Sequence, residues 1–493
     1  MTDQNYQSLL LLPLGLAALW LRDAFTTMRP ASQLLLVLVM LIVASFMLLG
    51  WAAYFSPWAR AKKKRIDTLL EIPEELRSAS DSSVLMGVDS DLDARIFLPD
   101  QIRTRHVHIL GATGSGKTES VILNFLRQDI SRGLGTIILD AKGDHSFLAE
   151  LERLVPTERL SVFDLSSADS LGYDPLSAGS ALESAQRLFS SFTWSEEYYK
   201  SKALSSLQRI FQIHFNVNGR NPTLVDVANY LETPKSYSAF VSTDDFPENL
   251  ATAEFQDLSG LRDQIRSLTI GHLAKTLSPT EVAIDLSKAS NGHVIYFRLQ
   301  SLMSPQLVSI LGKLIINHLN FLAGTAHRGL ITPQAKQRRL VPIYFDEFAS
   351  FACVEFADLI SKARSAGFAL HFSHQSIGDV IEVSPGFLNR ITDNAATKIV
   401  LRINDPDSAE FFSRSFGTKN IQKTTQRITN AKDIDRAEVV GEGTTRDAHQ
   451  FRASPDLLKT LPTGVGAVLV AHGRATPHGA SSVFTVRFPA LSG

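Results

Sequence analysis

Disulfides are excluded at the outset, because Cys353 is the single cysteine among 493 residues. A lone thiol cannot close an internal bridge, and its scarcity fits a reducing compartment. Cys353 lies beside an apolar run and is expected to pack in a core. A dominant charge is missing too: 49 basic and 50 acidic residues leave a formal net charge of −1. With no global basic footprint, any contact with nucleic acid has to be a local patch. The chain also lacks internal repeats and low-complexity tracts. One absence is local: Ala31 to Trp58 contains no Asp, Glu, Lys or Arg. A hydrocarbon core needs about 20 helical residues, so this segment is expected to span a membrane.

An earlier apolar run, Leu9 to Leu21, is shorter and contains Pro13. It reads as a short span or an interfacial segment, and nothing basic precedes it, which argues against a cleaved signal peptide. Residues 1–60 are therefore assigned to a membrane anchor with hydrophobic segments at about 9–25 and 31–58. Arg60, Lys62, Lys63, Lys64 and Arg65 follow directly. By the positive-inside rule they place everything after Trp58 in the cytoplasm.

The most informative octapeptide is Gly111-Ala112-Thr113-Gly114-Ser115-Gly116-Lys117-Thr118. It satisfies G-x-x-x-x-G-K-[ST], a loop whose backbone N–H groups cradle phosphates. In this pattern Lys117 reaches the β- and γ-phosphates of ATP, and the Thr118 hydroxyl coordinates Mg²⁺. The apolar run Val107–Leu110 enters as a strand, and Glu119 to Arg132 leaves with helical periodicity, which adds a positive dipole end.

Beyond a polar linker at about 67–100, with a small β-element at Ala94–Leu98, strands and helices alternate. Strands are predicted at Val107–Leu110, Thr136–Asp140, Leu160–Phe163, Val294–Leu299, Val341–Phe345, Ala369–Ser373 and Lys398–Leu401. Such alternation predicts an α/β fold with a doubly wound, mostly parallel sheet, binding ligand at the strands' carboxyl ends. Residues 61–179 are assigned to the linker and the first part of the nucleotide-binding domain. Residues 180–286 are purely helical in pattern and read as an inserted all-α domain. Residues 287–493 complete the domain and end in a β-pair at Ala467–Ala471 and Val483–Phe488.

Hydrolysis also needs an acid near Mg²⁺ and a group that activates water. Leu340 to Glu347, L-V-P-I-Y-F-D-E, is an apolar strand ending in two carboxylates. Asp346 is the candidate for the metal shell and Glu347 for the general base. Thr136–Asp140, T-I-I-L-D, is a competing strand-plus-acid, but it lacks the paired acid. Gln375, after a second polar strand end, is a candidate sensor of the γ-phosphate. Arg364 could reach a neighbouring subunit's nucleotide as an arginine finger. His106 and His108 share a strand face, whereas His371 and His374 fall on opposite faces. Neither pair has zinc-site spacing, so no protein-bound zinc is expected.

These features together resemble the type IV coupling proteins, membrane-anchored hexameric ATPases of conjugation and type IV secretion. The likeness rests on two N-terminal spans, the GATGSGKT loop, the I-L-D-A-K-G-D of Ile138–Asp144 and the D-P-L of Asp174–Leu176, where the family commonly has N-P-L. It continues through the helical insertion, the I-Y-F-D-E-F of Ile343–Phe348, and R-S-A-G-(x)₇-Q from Arg364 to Gln375. The resemblance implies a RecA-like P-loop domain, six copies around a channel, and an anchor in the bacterial inner membrane. ATP and Mg²⁺ would be the ligands, and secretion-channel components, a relaxase with single-stranded DNA, or effector proteins the partners. It carries the roles above onto Lys117, Thr118, Asp346, Glu347, Arg364 and Gln375. Two other readings stand beside it: a septal or repair-type pump of duplex DNA, and a membrane docking receptor with regulatory ATP turnover. The tail after Ile421 matches no pattern.

Overall fold

The computed structural model describes residues 29–55, 73–281, 284–328, 339–425, 444–476 and 479–489. Two compact units emerge, Met1–Glu71 and Ile72–Gly493. In the first, Pro30–Phe55 forms one helix of 26 residues, whose apolar side chains from Val37 to Val43 are exposed. Its described apolar run, Val37–Met47, is short. The segment at 9–25 and the cations at 60–65 lie outside the described residues.

The second unit is built on an 11-stranded sheet. Its strands are β1 Ser83–Asp89, β2 Arg95–Pro99, β3 Val107–Leu110, β4 Thr136–Asp140, β5 Leu160–Asp164, β6 Val294–Arg298, β7 Val341–Asp346, β8 Phe368–His374, β9 Thr397–Val400, β12 Val465–Thr476 and β13 Gly479–Arg487. A separate antiparallel ribbon pairs β10 Thr418–Thr425 with β11 Thr444–Phe451. The order across the sheet is β2-β1-β13-β12-β9-β3-β8-β7-β4-β6-β5. From β9 to β5 every pairing is parallel, while from β9 to β2 every pairing is antiparallel. In the parallel half β3, β4 and β7 are buried along their whole length, as strands covered by helices on both faces must be. Hence they read as continuous apolar runs.

Two segments differ from the expectations. Residues 67–100 are not merely a linker, since β1 and β2 form an edge of the main sheet. β1 escaped notice because Ser83, Gly87 and Asp89 interrupt its apolar alternation, while its pairing with β13 is made far away in sequence. The polar tail holds β10, β11 and the helix Pro455–Thr460. An exposed two-stranded ribbon has no buried face to impose alternation, so its sequence carries no strand signal.

Between β5 and β6 lie seven helices from Ala181 to Thr276. Their ends are set by local chemistry. Ser180 with Glu183, and Thr223 with Asp226, form reciprocal capping boxes, and Gly219 at φ 68° stops the helix Glu197–Asn218. Their apolar faces share one continuous core with the sheet. The helix Pro305–Ala326 is the one long and apolar enough to cross a membrane among the described residues. It belongs to that core through Leu311, Leu314, Ile315 and Leu319.

The helix after the phosphate loop is anchored by a buried ion pair. Arg103, fully buried, places two nitrogens 2.8 and 2.6 Å from the Asp129 carboxylate. The Tyr344 hydroxyl and the His371 ring complete the cluster. A bidentate pair needs such further partners to offset desolvation.

Candidate functional site

The site gathers at the carboxyl ends of β3, β7 and β8, which lie side by side. The octapeptide starts where β3 ends, and its root is stitched to neighbouring strands. The Gly111 N–H donates to the His374 carbonyl at 3.3 Å and the Ala112 N–H to the Arg402 carbonyl at 2.8 Å. Gly114 and Gly116 have φ of 72° and 100°, the left-handed region where a side chain is strained. Lys117 begins a short π-helical turn, Lys117–Ile122, which continues as the helix Leu123–Ser131. Its ammonium folds back into the loop and donates to the Gly111 carbonyl at 2.6 Å. The Lys117 side chain is 6% exposed.

The second component comes from β7. The Asp346 carboxylate accepts from Thr118 Oγ1 at 2.7 Å and from Ser373 Oγ at 2.6 Å. Glu347 follows at φ 49°, ψ 50°. A non-glycine residue in that region carries backbone strain of the kind stored at functional sites. The geometry turns the Glu347 carboxylate toward Lys117, 4.0 Å away. Burial raises the Glu347 pKa, and Lys117 opposes that rise. Gln375, just past β8, closes the cluster. Its amide nitrogen lies 3.2 and 3.3 Å from the two Glu347 oxygens, and its carbonyl accepts from Thr113 Oγ1 at 2.9 Å.

Thr118, Asp346, Glu347 and Gln375 therefore form one hydrogen-bonded cluster, which Lys117 joins through its 4.0 Å ion pair with Glu347. Arg364 does not join it. It is exposed in the turn Ala363–Ala366, before the amino end of β8. The seven residues of β8 separate it from Gln375, roughly 20 Å of strand. Within one chain it stands at the amino ends of the strands, away from the phosphate loop. Asp140 stands in register beside Asp346 but is occupied otherwise. One of its oxygens accepts from the N–H groups of Lys142 and Gly143, the other from Asp144 N–H and the Tyr296 hydroxyl.

Two contributors escaped sequence reasoning. Ser373 carries no motif of its own and joins the site only through strand order. Asp379 accepts from the Gln375 and Ser376 N–H groups at 3.0 and 2.8 Å and fixes the loop after β8. The spacing Q-S-I-G-D was its one available signal. The histidines make a different pair from those considered in sequence: His108 and His374 meet across the sheet, Nε2 to Nε2, at 2.6 Å. Burial holds His374 down at about 4 and His108 well below its ordinary value. Both are neutral core side chains at pH 7, and no group of three metal ligands occurs among the described residues.

The residues fit a nucleotide with a divalent cation. Ser115 Oγ is buried inside the loop with no hydrogen-bond partner. The adjoining Thr118 hydroxyl and Asp346 carboxylate are hard oxygen donors of the kind Mg²⁺ takes. A groove of about 540 Å³ opens beside Thr118, lined by Arg127, Lys142, Phe147 and Arg153 among others.

A family model for the central domain of the helicase HerA matches residues 85–298. One for the TraM recognition site of TraD and TraG matches residues 341–462. The type 4 coupling protein DotL of Legionella pneumophila is 22% identical over 437 residues, covering 73% of this chain and 55% of its own length. The chain thus spans about half the length of that curated relative. The bacterial conjugative coupling protein TrwB, solved with a non-hydrolysable ATP analogue, shares the fold at TM-score 0.60 and 15% identity, over 85% of this chain and 93% of that one. VirB4 of Thermoanaerobacter pseudethanolicus shares it at TM-score 0.54 and 13% identity, over 84% and 98%.

Proposed function

Starting from the chain as a P-loop ATPase of the type IV coupling protein class, which these likenesses support, we propose that it hydrolyses ATP to drive transfer of a macromolecular substrate. The observation that carries this reading is the single cluster joining Lys117 and Thr118 to Asp346, Glu347 and Gln375. A phosphate cradle alone binds nucleotide; a carboxylate placed 4.0 Å from the cradle's lysine is positioned for chemistry as well.

In this reading the loop N–H groups and Lys117 hold the triphosphate. Thr118 Oγ1 and Asp346 would hold Mg²⁺, the ion present with ADP in a structure of TrwB; when bound, the ion neutralises charge developing on the phosphate oxygens. Ser373 Oγ donates to the other Asp346 oxygen and keeps the carboxylate in one orientation. Glu347 accepts the proton of the attacking water at its carboxylate. Gln375 donates to that carboxylate and touches Thr113 on the loop, so displacement of either partner is felt by the other. Arg364, exposed at the amino end of β8, acts only on a neighbouring subunit's site, which requires a ring; a homo-hexamer meets that requirement.

The remaining assignments follow from the same class. The helix Pro30–Phe55 is about 39 Å long at 1.5 Å per residue and anchors the protein in the bacterial inner membrane, with the ATPase in the cytoplasm. Residues 180–286 form the substrate-facing helical domain. The cargo is a relaxase with single-stranded DNA, or effector proteins, delivered to a type IV secretion channel. ATP hydrolysis by the full-length chain in detergent, with and without single-stranded or duplex DNA, tests this beside Lys117→Ala and Glu347→Gln. Stimulation by single strands, lost in both variants, is the expected result. Preference for duplex identifies a duplex pump instead, and ATP binding without stimulated turnover identifies a docking receptor.

A further inference from the structure

The phosphate loop has a neighbour that belongs to none of the motifs. Pro462-Thr463-Gly464-Val465 is a tight turn between the helix Pro455–Thr460 and β12, closed by the Val465 N–H donating to the Pro462 carbonyl at 3.1 Å. Gly464 sits at φ 75°, as the third residue of a type II turn must. This turn lies against the phosphate loop, 349 residues away in sequence. Thr463 Oγ1 donates to the Gly114 carbonyl at 3.2 Å. The Gly464 N–H donates to the Ser115 carbonyl at 3.0 Å. The packing is backbone against backbone: a Cβ on Gly116 would lie 3.2 Å from the Gly464 nitrogen.

Gly114 and Ser115 own the two carbonyls at the crown of the loop. In a trans peptide the carbonyl and the next N–H point in opposite directions. Holding the Ser115 carbonyl toward Gly464 therefore turns the Gly116 N–H to the opposite side. Holding the Gly114 carbonyl toward Thr463 turns the Ser115 N–H inward, where it meets the Ala112 carbonyl at 3.1 Å. Glycines at 114 and 116 ease rotation of these peptide planes, so contacts from outside the loop add to the Ala112 bond in fixing them. The turn is itself suspended, because the Gly464 carbonyl accepts from the Phe488 N–H at 2.9 Å, just past β13.

We infer that Thr463 and Gly464 are positioning residues for the nucleotide site, fixing from the antiparallel half of the sheet the direction of the phosphate-loop N–H groups. The inference rests on the ATPase reading for its ligand but not for its geometry. Thr463 is exposed, so its replacement leaves the core intact. It acts through the loop on the bound phosphates and takes no part in the chemistry.

The test uses the full-length chain in detergent, with Thr463→Val, Thr463→Ser and, as a control on nucleotide binding, Lys117→Ala. Amide hydrogen exchange of peptides covering 111–118 is followed without nucleotide; Kd for ADP with Mg²⁺, KM for ATP and kcat are then measured. Thr463→Val is expected to speed exchange in the loop and to raise Kd and KM about three- to tenfold, the worth of one neutral hydrogen bond, with kcat retained. Thr463→Ser, which keeps the hydroxyl, restores all three. Unchanged exchange and affinity in Thr463→Val overturns the inference. So does a Thr463→Ser variant indistinguishable from Thr463→Val, or exchange that accelerates equally throughout 72–493. A parent chain that binds no ADP refutes the ATPase reading instead, and the loop's exchange alone then decides the role of Thr463.

Discussion

Asp140 and Asp346 end adjacent parallel strands, stand opposite each other in register, and each follows an apolar run. Their surroundings nevertheless divide their work. Asp140 accepts three N–H groups of its own loop and one tyrosine hydroxyl. Burial, with the nearby Asp346 charge second, raises its pKa. Asp346 accepts hydroxyls from Thr118, in the turn after the phosphate loop, and from Ser373, near the end of β8. One acid shapes a loop; the other joins separate elements around a ligand position. A strand that ends in Asp is therefore an incomplete signal, and the donors facing the carboxylate decide what it does.

Substitutions can break this contrast. The largest effect is expected at the cluster, where Glu347→Gln lowers kcat about 10²- to 10⁴-fold with nucleotide affinity retained in equilibrium binding. Asp346→Asn follows, with kcat down at least about 100-fold and little change in melting temperature. Asp140→Asn is expected to invert that pattern. Its new NH₂ group cannot accept from Asp144 N–H and the Tyr296 hydroxyl, so stability falls by about 1–3 kcal/mol in denaturant titration while kcat persists. Equal losses of kcat in Asp140→Asn and Asp346→Asn would erase the distinction.

Titration sharpens it further. Because burial raises the Glu347 pKa above its ordinary 4.5, its base form is lost at a higher pH than that of a free glutamate. The acid limb of the kcat–pH profile is expected above 4.5, and Gln375→Ala, which removes a donor to the carboxylate, moves it higher. The smallest effect concerns a third buried acid, Asp174, which burial pushes up to about 6. The native state binds that proton more tightly than the unfolded chain, so the stability it contributes is lost as pH rises through about 6. Asp174→Asn keeps the bond from the Leu176 N–H without the charge. It is expected to stabilise the chain by about 1–2 kcal/mol at pH 8, a gain that vanishes near pH 4 on the same melting assay.

The parallel half was legible because burial on both faces leaves unbroken runs such as T-I-I-L-D and V-P-I-Y-F-D, and because Gly111–Thr118 is a local motif. Val107–Leu110 and Thr136–Asp140 coincide with β3 and β4. The antiparallel half was harder, since β1 pairs with a strand near the other end of the chain. At the site, the partnership of Gln375 with Glu347 could be suspected from strand order. Those of Ser373 with Asp346 and of Thr463 with Gly114 could not, because neither Ser373 nor Thr463 belongs to a motif.

The pairing of β1 with β13, together with the turn at Gly464, gives this sheet a timetable. The phosphate loop leaves the ribosome with its own strand and helix, while the residues that clamp its crown and seal the sheet's antiparallel half are still unmade. A nascent chain can thus fold most of its parallel half without a finished nucleotide cradle. Synthesis order places the contacts of Thr463 and Gly464 on the loop's crown after the loop itself.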